Sequence, residues 1–383
     1  MRSIVKRIPD EANVGVTLSG GLDSSLITLI TADHLNTSKK ELIASSIFYN
    51  NQKENIDYEF AEMIASTRKN IRLIKTEISP DNFLDELEDV VRALGIQNSI
   101  RQLAMYKNYK TLKNQGIKVA LAGEGADEFN WGYWHRFTGF KEDQVVGKFM
   151  VNFKESMIES GKYAEQLFSE NIKSEININK ISGYLIELFN GFKAGDLGVK
   201  VMGLYAIPFL GYLNKANDRL SMANSIETRF PFQDINLVQM CLKIPKSLQV
   251  NDHLEKLALR SAFSYILPKD IYMRRKSPLP AASNMEYHKK ISEEFKKRLA
   301  SVDSSFWELF NKKRWSLISK LYDKKINILL ASYGDSEVAG GKLMLKRKLG
   351  ESVDINDIRT NDIFKLLTTL VWYEQNLPFK CKL

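Results

Sequence analysis

The string Val14-Gly15-Val16-Thr17-Leu18-Ser19-Gly20-Gly21-Leu22-Asp23-Ser24-Ser25 constrains this chain more than any other stretch. An apolar β-type run stops at a Ser/Gly turn and resumes as a helical pattern, which is the order of parts in a phosphate cradle. Gly20 and Gly21 let backbone N–H groups approach an anion closely. Ser19, Ser24 and Ser25 add hydroxyl donors, and the helix presents the positive end of its dipole. The loop is therefore expected to hold a pyrophosphate; the plainer reading is a strand-to-helix turn that merely needs glycines. A Walker-type loop would carry a lysine for the terminal phosphates, and none stands here. Asp23 sits inside the cradle instead. Its carboxylate would repel phosphate unless a divalent cation lay between them, so the sequence implies Mg²⁺.

Periodicity places this loop in a layered fold. Strands are expected over Val14–Leu18, Leu42–Tyr49, Ile71–Ile78 and Val119–Ala122, and helices over Leu22–Leu35 and Tyr58–Thr67. Helical spacing also runs from Phe83 to Leu94 and through Leu103, Tyr106 and Tyr109. Alternation of this kind gives an α/β fold, a doubly wound parallel sheet with ligands at the carboxyl ends of its strands. From about residue 141 the β signal fades. The expected division is an α/β domain over 1–140 and a mostly helical region over 141–383 that folds back over the cleft. Within that region the polar span Ser169–Ser182 reads as an exposed loop, and Phe364–Trp372 as a helix.

Composition narrows the function classes. The chain has 383 residues, 44% of them hydrophobic, and no window reads as a membrane span or a signal-peptide core, so a cytoplasmic protein is expected. Its net charge of +9 is spread through amphipathic segments without a basic-aromatic stripe, which argues against a nucleic-acid partner. Cys241 and Cys381 are the only cysteines, outside every motif, and His34, His135, His253 and His288 lack metal-ligand spacing.

Three further strings follow in order: Lys118 through Gly123-Glu124-Gly125-Ala126-Asp127-Glu128-Phe129 to Gly132-Tyr133; Asp218-Arg219-Leu220-Ser221-Met222-Ala223 through Glu227-Thr228-Arg229-Phe230-Pro231-Phe232-Gln233-Asp234; and Lys256, Leu259-Arg260, Leu267-Pro268, Ile271, Arg274-Arg275-Lys276. With the first loop, the chain resembles the N-type ATP pyrophosphatases and, among them, the asparagine synthetases and related β-lactam-forming ligases.

The resemblance implies ATP held by Leu18, Ser19, Gly20, Gly21, Asp23, Ser24, Ser25, Ile47 and Gly123, and Mg²⁺ held by Asp23 and Asp127. It implies that Glu124 removes a proton from an attacking nitrogen and that Lys276 stabilises charge at the α-phosphate and the tetrahedral carbon. Plainer readings stand beside these: Asp127 as a helix cap, Glu124 as a structural cap, Lys276 as a helix-terminal surface lysine, Leu18 and Ile47 as core. Arg219, Glu227 and Arg229 read as an internal ion-pair network. The implied reaction activates a carboxylate as an acyl-adenylate, releasing pyrophosphate, and then forms an amide, releasing AMP.

Glutamine-using asparagine synthetases begin with a catalytic cysteine and a glutaminase domain, whereas this chain starts almost directly at the synthetase half. Nitrogen is then expected from ammonia, a separate glutaminase partner or an amine substrate. Ala122, Asn130-Trp131 and Ser277-Pro278-Leu279-Pro280 depart from the family pattern on the acceptor side, which points to a small-molecule, peptide or saccharide acid in specialised biosynthesis. A tRNA-modifying ATP pyrophosphatase is the alternative; thiolating members place cysteines at the nucleotide site, and this chain has none there.

Overall fold

A computed structural model describes residues 1–50, 55–95, 99–137, 139, 141, 144–145, 147–149, 166–173, 175, 178–193, 195–275, 285–333 and 360–376. Five strands, β1 Val14–Thr17, β2 Leu42–Tyr49, β3 Ile71–Ile78, β4 Val119–Leu121 and β5 Glu227–Arg229, form one parallel sheet in the order β3-β2-β1-β4-β5. Central β2 is buried along almost its whole length, so its sequence carries no polar alternation. Edge strand β3 turns Arg72, Lys75 and Glu77 to solvent.

Helices α1 Leu22–Asn36 and α2 Ile56–Ser66 cover one face, with Leu26, Leu29, Ala61 and Ile64 in a core shared with Val14, Val16 and Leu18. Helices α3 Leu87–Leu94 and α4 Ile100–Asn114 cover the other face with Val90, Val91, Leu103 and Leu112. The doubly wound α/β expectation therefore holds. Because β1, β2 and β3 run one way across the sheet and β4 and β5 the other, the strand order reverses between β1 and β4. A crevice opens at such a reversal, and ligands of open α/β sheets bind there.

Strand β5 lies inside the span read as helical. Three residues are too few for a period-two signal, and pairing creates the strand: Glu227 N–H donates to Lys118 O at 2.9 Å and Ala122 N–H to Arg229 O at 3.1 Å. The polar span Ser169–Ser182 is also not a plain loop. It contains the helical turn Glu170–Lys173 and the start of helix Ile178–Gly191, whose Leu185 and Phe189 reach a small third core; burial of these two side chains holds a helix that the polar span alone does not signal.

After the short helix α5 Ala126–Phe129, the chain runs through α6 Leu197–Leu204, a wide turn Tyr205–Phe209 around Pro208, and α7 Leu210–Met222. This run, Leu197–Met222, is long and apolar enough to cross a membrane by length and composition, with a mean hydropathy of 1.2 in its best window, contrary to the expectation that no window would qualify. Here Val201, Leu204 and Tyr205 fill the third core, where Tyr133 stacks on Tyr205 at 4.3 Å, and the far end of the run reaches the crevice. Helix α8 Leu257–Ala262 follows, then α9 Met285–Ser301, α10 Lys312–Tyr333 and α11 Thr360–Asn376, which contains the expected Phe364–Trp372 helix. Phe295, Trp315 and Phe364 pack this layer onto the α3 side of the sheet. The Tyr287 hydroxyl straps α9 to the ends of β2 and β3, donating to Asn50 O at 2.9 Å and Ile78 O at 2.8 Å.

Candidate active site

The loops that leave β1 and β4 meet at the reversal point. In the first, Gly20 adopts φ +65°, and a Cβ there would lie 2.7 Å from Asp57 O and 2.8 Å from Ala61 N, so only glycine lets the loop press against α2. Ser19 and Ser24 brace the turn: Ser19 N–H donates to Ser24 Oγ at 3.2 Å, and Ser24 Oγ donates to Gly21 O at 3.2 Å. Helix α1 has Gly21 at its N-cap with no side-chain cap, and Ser25 N–H bonds back to Gly21 O at 3.0 Å. The amides of the first turn thus face the mouth of the loop, where an anion is favoured by both donors and dipole. Ser25 itself is fully buried behind the loop, its hydroxyl without a hydrogen-bond partner among the described residues.

Gly123 opens the second loop against the first; a Cβ on it would come within 3.3 Å of Asp23 Cβ. Gly132 likewise leaves room for the Asp127 carboxylate and donates its N–H to Asp127 O at 2.9 Å. Asp23 and Asp127 then converge on one cation. Lys256 Nζ lies 2.6 Å from Asp23 Oδ2 and 2.6 Å from Asp127 Oδ1, and the lysine is 2% exposed. Burying an ammonium this deeply requires such pairing. Lys256 holds a left-handed φ of +59° at the N-cap of α8, and its surroundings are fixed by buried Arg260, which donates to Glu255 O at 2.7 Å, to Glu255 Oε1 at 2.9 Å and to Arg274 O at 2.8 Å.

This arrangement fits the Mg²⁺ expected between the aspartates. The two carboxylates already share a positive charge, and Asp23 Oδ1 is buried without a hydrogen-bond partner among the described residues. Mg²⁺ is commonly held by one or two carboxylates completed by phosphate oxygens, so no third acidic ligand is needed.

Glu124 stands at the tip of the second loop, half-buried between Gly123 and Gly125. Its Oε1 accepts from Asn217 Nδ2 at 2.9 Å, and its main-chain oxygen accepts from Gln233 Nε2 at 3.2 Å. Glu128 lies deeper, its Oε2 accepting from Gly125 N–H at 3.0 Å and its Oε1 from the Tyr133 hydroxyl at 3.1 Å. Burial, reinforced by the neighbouring Asp127 charge, pushes the Glu128 carboxyl up to about 7. Asp127 and Glu128 thus differ in role: one faces the shared cation, the other caps the loop from beneath.

The structure brings Ser19, Gly20, Gly21, Asp23, Ser24, Gly123, Glu124 and Asp127 to one crevice. It does not bring Leu18 and Ile47 together: Leu18 is packed in the α1-side core and Ile47 in the opposite one. Lys276 lies outside the described residues. Of the internal network expected of Arg219, Glu227 and Arg229, the structure forms the Arg229–Glu227 pair at 2.8 Å, but at the surface, with Glu227 60% exposed; Arg229 also donates to Arg7 O at 2.7 Å, while Asp218 and Arg219 are exposed and stand outside the pair. Cys241 is buried, donates to Asn130 Oδ1 at 3.2 Å and is pushed up to about 11 by burial, a thiol unsuited to nucleophilic work.

Three residues of the crevice do not stand out in the sequence. Lys256 shows there only as part of a motif, and one buried lysine in a Lys-rich chain gives no local signal. Arg274 groups in sequence with the helix-terminal cations; in the fold it donates to Gly20 O at 2.6 Å, pairs with Asp57 and lies over the Phe60 ring, clasping the first loop. Asn217, beside the conspicuous Asp218-Arg219 pair, is the residue that turns inward.

The family model for asparagine synthase matches residues 1–326. The chain belongs to the asparagine synthase family. Its relatives include the glutamine-hydrolyzing asparagine synthetase 3 of Bacillus subtilis (strain 168), 30% identical over 336 residues that cover 82% of this chain and 52% of the relative. A probable glutamine-hydrolyzing asparagine synthetase of Acanthamoeba polyphaga mimivirus is 25% identical over 288 residues, 72% of this chain and 40% of that protein. A putative one from Mycobacterium tuberculosis (strain CDC 1551 / Oshkosh) is 25% identical over 312 residues, 73% and 46%. This asparagine synthase-type chain spans about half the length of the curated relatives it matches. The two loops and the Lys256 segment all lie within the matched region.

Proposed function

We propose that the chain is an ATP-dependent, AMP-forming amide ligase. The observation that carries this reading is the convergence of Asp23 and Asp127 on a single cation position at the mouth of the Gly20 loop. Membership of the asparagine synthase family supports ATP as the substrate. Main-chain amides of residues 20–24 and the Ser19 and Ser24 hydroxyls bind the polyphosphate, Arg274 keeps the loop in shape, and Lys256 supplies positive charge beside it. Mg²⁺, held by Asp23 and Asp127, would neutralise the departing pyrophosphate.

A carboxylate oxygen of the acceptor attacks the α-phosphorus; that O–P bond forms as the bond to pyrophosphate breaks. A nitrogen nucleophile then attacks the acyl carbon, gives a proton to Glu124, and expels AMP as the acyl C–O bond breaks. Lys276, two residues beyond the Arg274 clasp, is proposed to balance charge on the α-phosphate in both steps. The nitrogen comes from ammonia, a separate glutaminase or an amine, and the acceptor is a small-molecule, peptide or saccharide acid. We place the enzyme in the cytoplasm, where a free thiol such as Cys241 stays reduced.

A panel of carboxylic acids, each supplied with ATP, Mg²⁺ and ammonium chloride or an amine, tests the reading through pyrophosphate release and mass spectrometry. With an acid that reacts, labelling its carboxylate with ¹⁸O should place one ¹⁸O in AMP. Cleavage to ADP and phosphate contradicts the proposal.

A further inference from the structure

We infer that Tyr109 and Asn217 form a positioning pair that aims the Glu124 carboxylate and holds it in its proton-accepting state for the nitrogen-transfer step. The inference rests on the proposed role of Glu124 as base. A glutamate between two glycines is poorly constrained by its own turn, the more so with Gly125 at φ +98°. Its constraint comes from helix α7.

Asn214 and Asn217, three residues apart, share one face of that helix. Asn214 exchanges two hydrogen bonds with Gln233, each 2.8 Å, and Gln233 holds the Glu124 main-chain oxygen. Asn217 holds the side chain. Its amide orientation is fixed by its partners: Oδ1 accepts from the Tyr109 hydroxyl at 2.8 Å, while Nδ2 donates to Leu213 O at 3.1 Å and to Glu124 Oε1 at 2.9 Å. Both residues are 2% exposed, so the bond between them is shielded from water. Burial, with the Glu124 charge adding to it, raises Tyr109 above the ordinary phenol range and keeps its hydroxyl a donor.

The choice of an amide matters chemically. A lysine or arginine in this place would also fix the carboxylate, but its charge would sap basicity by stabilising the ionised form far more strongly. A neutral N–H donor aims the group and leaves it able to take a proton.

The test uses full-length protein carrying ¹³C-labelled glutamate carboxyls, titrated by NMR without substrate, with Glu124→Gln identifying the Glu124 signal by its loss. Asn217→Leu should move that signal's titration midpoint up by about one pH unit, because the charged form loses a donor, and Tyr109→Phe should move it less. Asn217→Asp, nearly isosteric and therefore able to fold, should also raise it, since like charges now face each other. A midpoint unchanged in Asn217→Leu and Asn217→Asp overturns the inference. With L-aspartate and ammonium chloride as kinetic probes, the Asn217 variants should keep the first-turnover release of pyrophosphate while amide formation slows about tenfold or more. If Glu124→Gln slows amide formation and Asn217→Leu does not, the positioning pair is wrong and the base stands. If Glu124→Gln leaves amide formation untouched, the reading of the base itself fails.

Discussion

Lys256 is the residue on which the geometry of the site turns. Removing its ammonium would leave the Asp23 and Asp127 carboxylates facing each other in a crevice, and stripping one partner from a buried ion pair typically costs roughly 3–5 kcal/mol. Lys256→Met is therefore expected to lower unfolding stability by that order in urea titrations, with MgCl₂ restoring part of it; an unchanged transition would mean that the three charges are not coupled. Gly20 is the second residue that tolerates no change. Gly20→Ala combines a positive φ with a Cβ pressed on the α2 backbone, so it should lose about 1–3 kcal/mol and weaken nucleotide binding measured by calorimetry. Gly20 and Asp23 are legible from sequence because a cradle needs them at fixed offsets from a strand end. Lys256 is not, since its meaning depends on a fold that brings a distant helix start to that cradle.

Among the elements, strands and helices of the first 121 residues follow the hydrophobic pattern closely, because each buries a strip or a face long enough to register a period. β5 could not be read that way. Its place depends on the residues just C-terminal to it: Pro231 and Phe232 are buried, and Asp234 caps helix Ile235–Lys243 by accepting from Asn236 N–H at 3.1 Å and Leu237 N–H at 3.4 Å. Asp234 also pairs with Lys6 and, at 3.2 Å, with Arg7, tying the N-terminal turn to this segment. The Lys6 hydrogen bond, with that of Arg7, holds the Asp234 carboxyl down to about 2, below the ordinary unfolded value of about 4. Because the folded value is depressed, the stability it confers is complete above about pH 4 and is lost as pH falls towards 2. Asp234→Ala should thus cost roughly 1 kcal/mol at neutral pH, and its deficit should shrink between pH 4 and 2 in thermal melts. A deficit that stays constant over that range contradicts the assignment.

The family features fall where the strand order reverses, and the helices after residue 196 complete the crevice that the sheet begins. α7 sends Asn214 and Asn217 to the Glu124 turn, α8 starts at Lys256, and the segment ending in Arg274 clasps the Gly20 loop. The ordered motifs, and hence the family, are visible in sequence alone. The convergence of groups separated by more than two hundred residues is not, because it depends on packing rather than on period or spacing. We propose that Asp23 and Asp127 form the metal and polyphosphate site, with Lys256 between them in the nucleotide-free protein. A crystal structure with Mg²⁺ and α,β-methylene-ATP tests it most directly. The polyphosphate is expected on the amides of residues 20–24, the metal between both aspartates and the Lys256 ammonium displaced from between them; a nucleotide bound elsewhere, or Lys256 still bridging the two carboxylates, overturns the assignment.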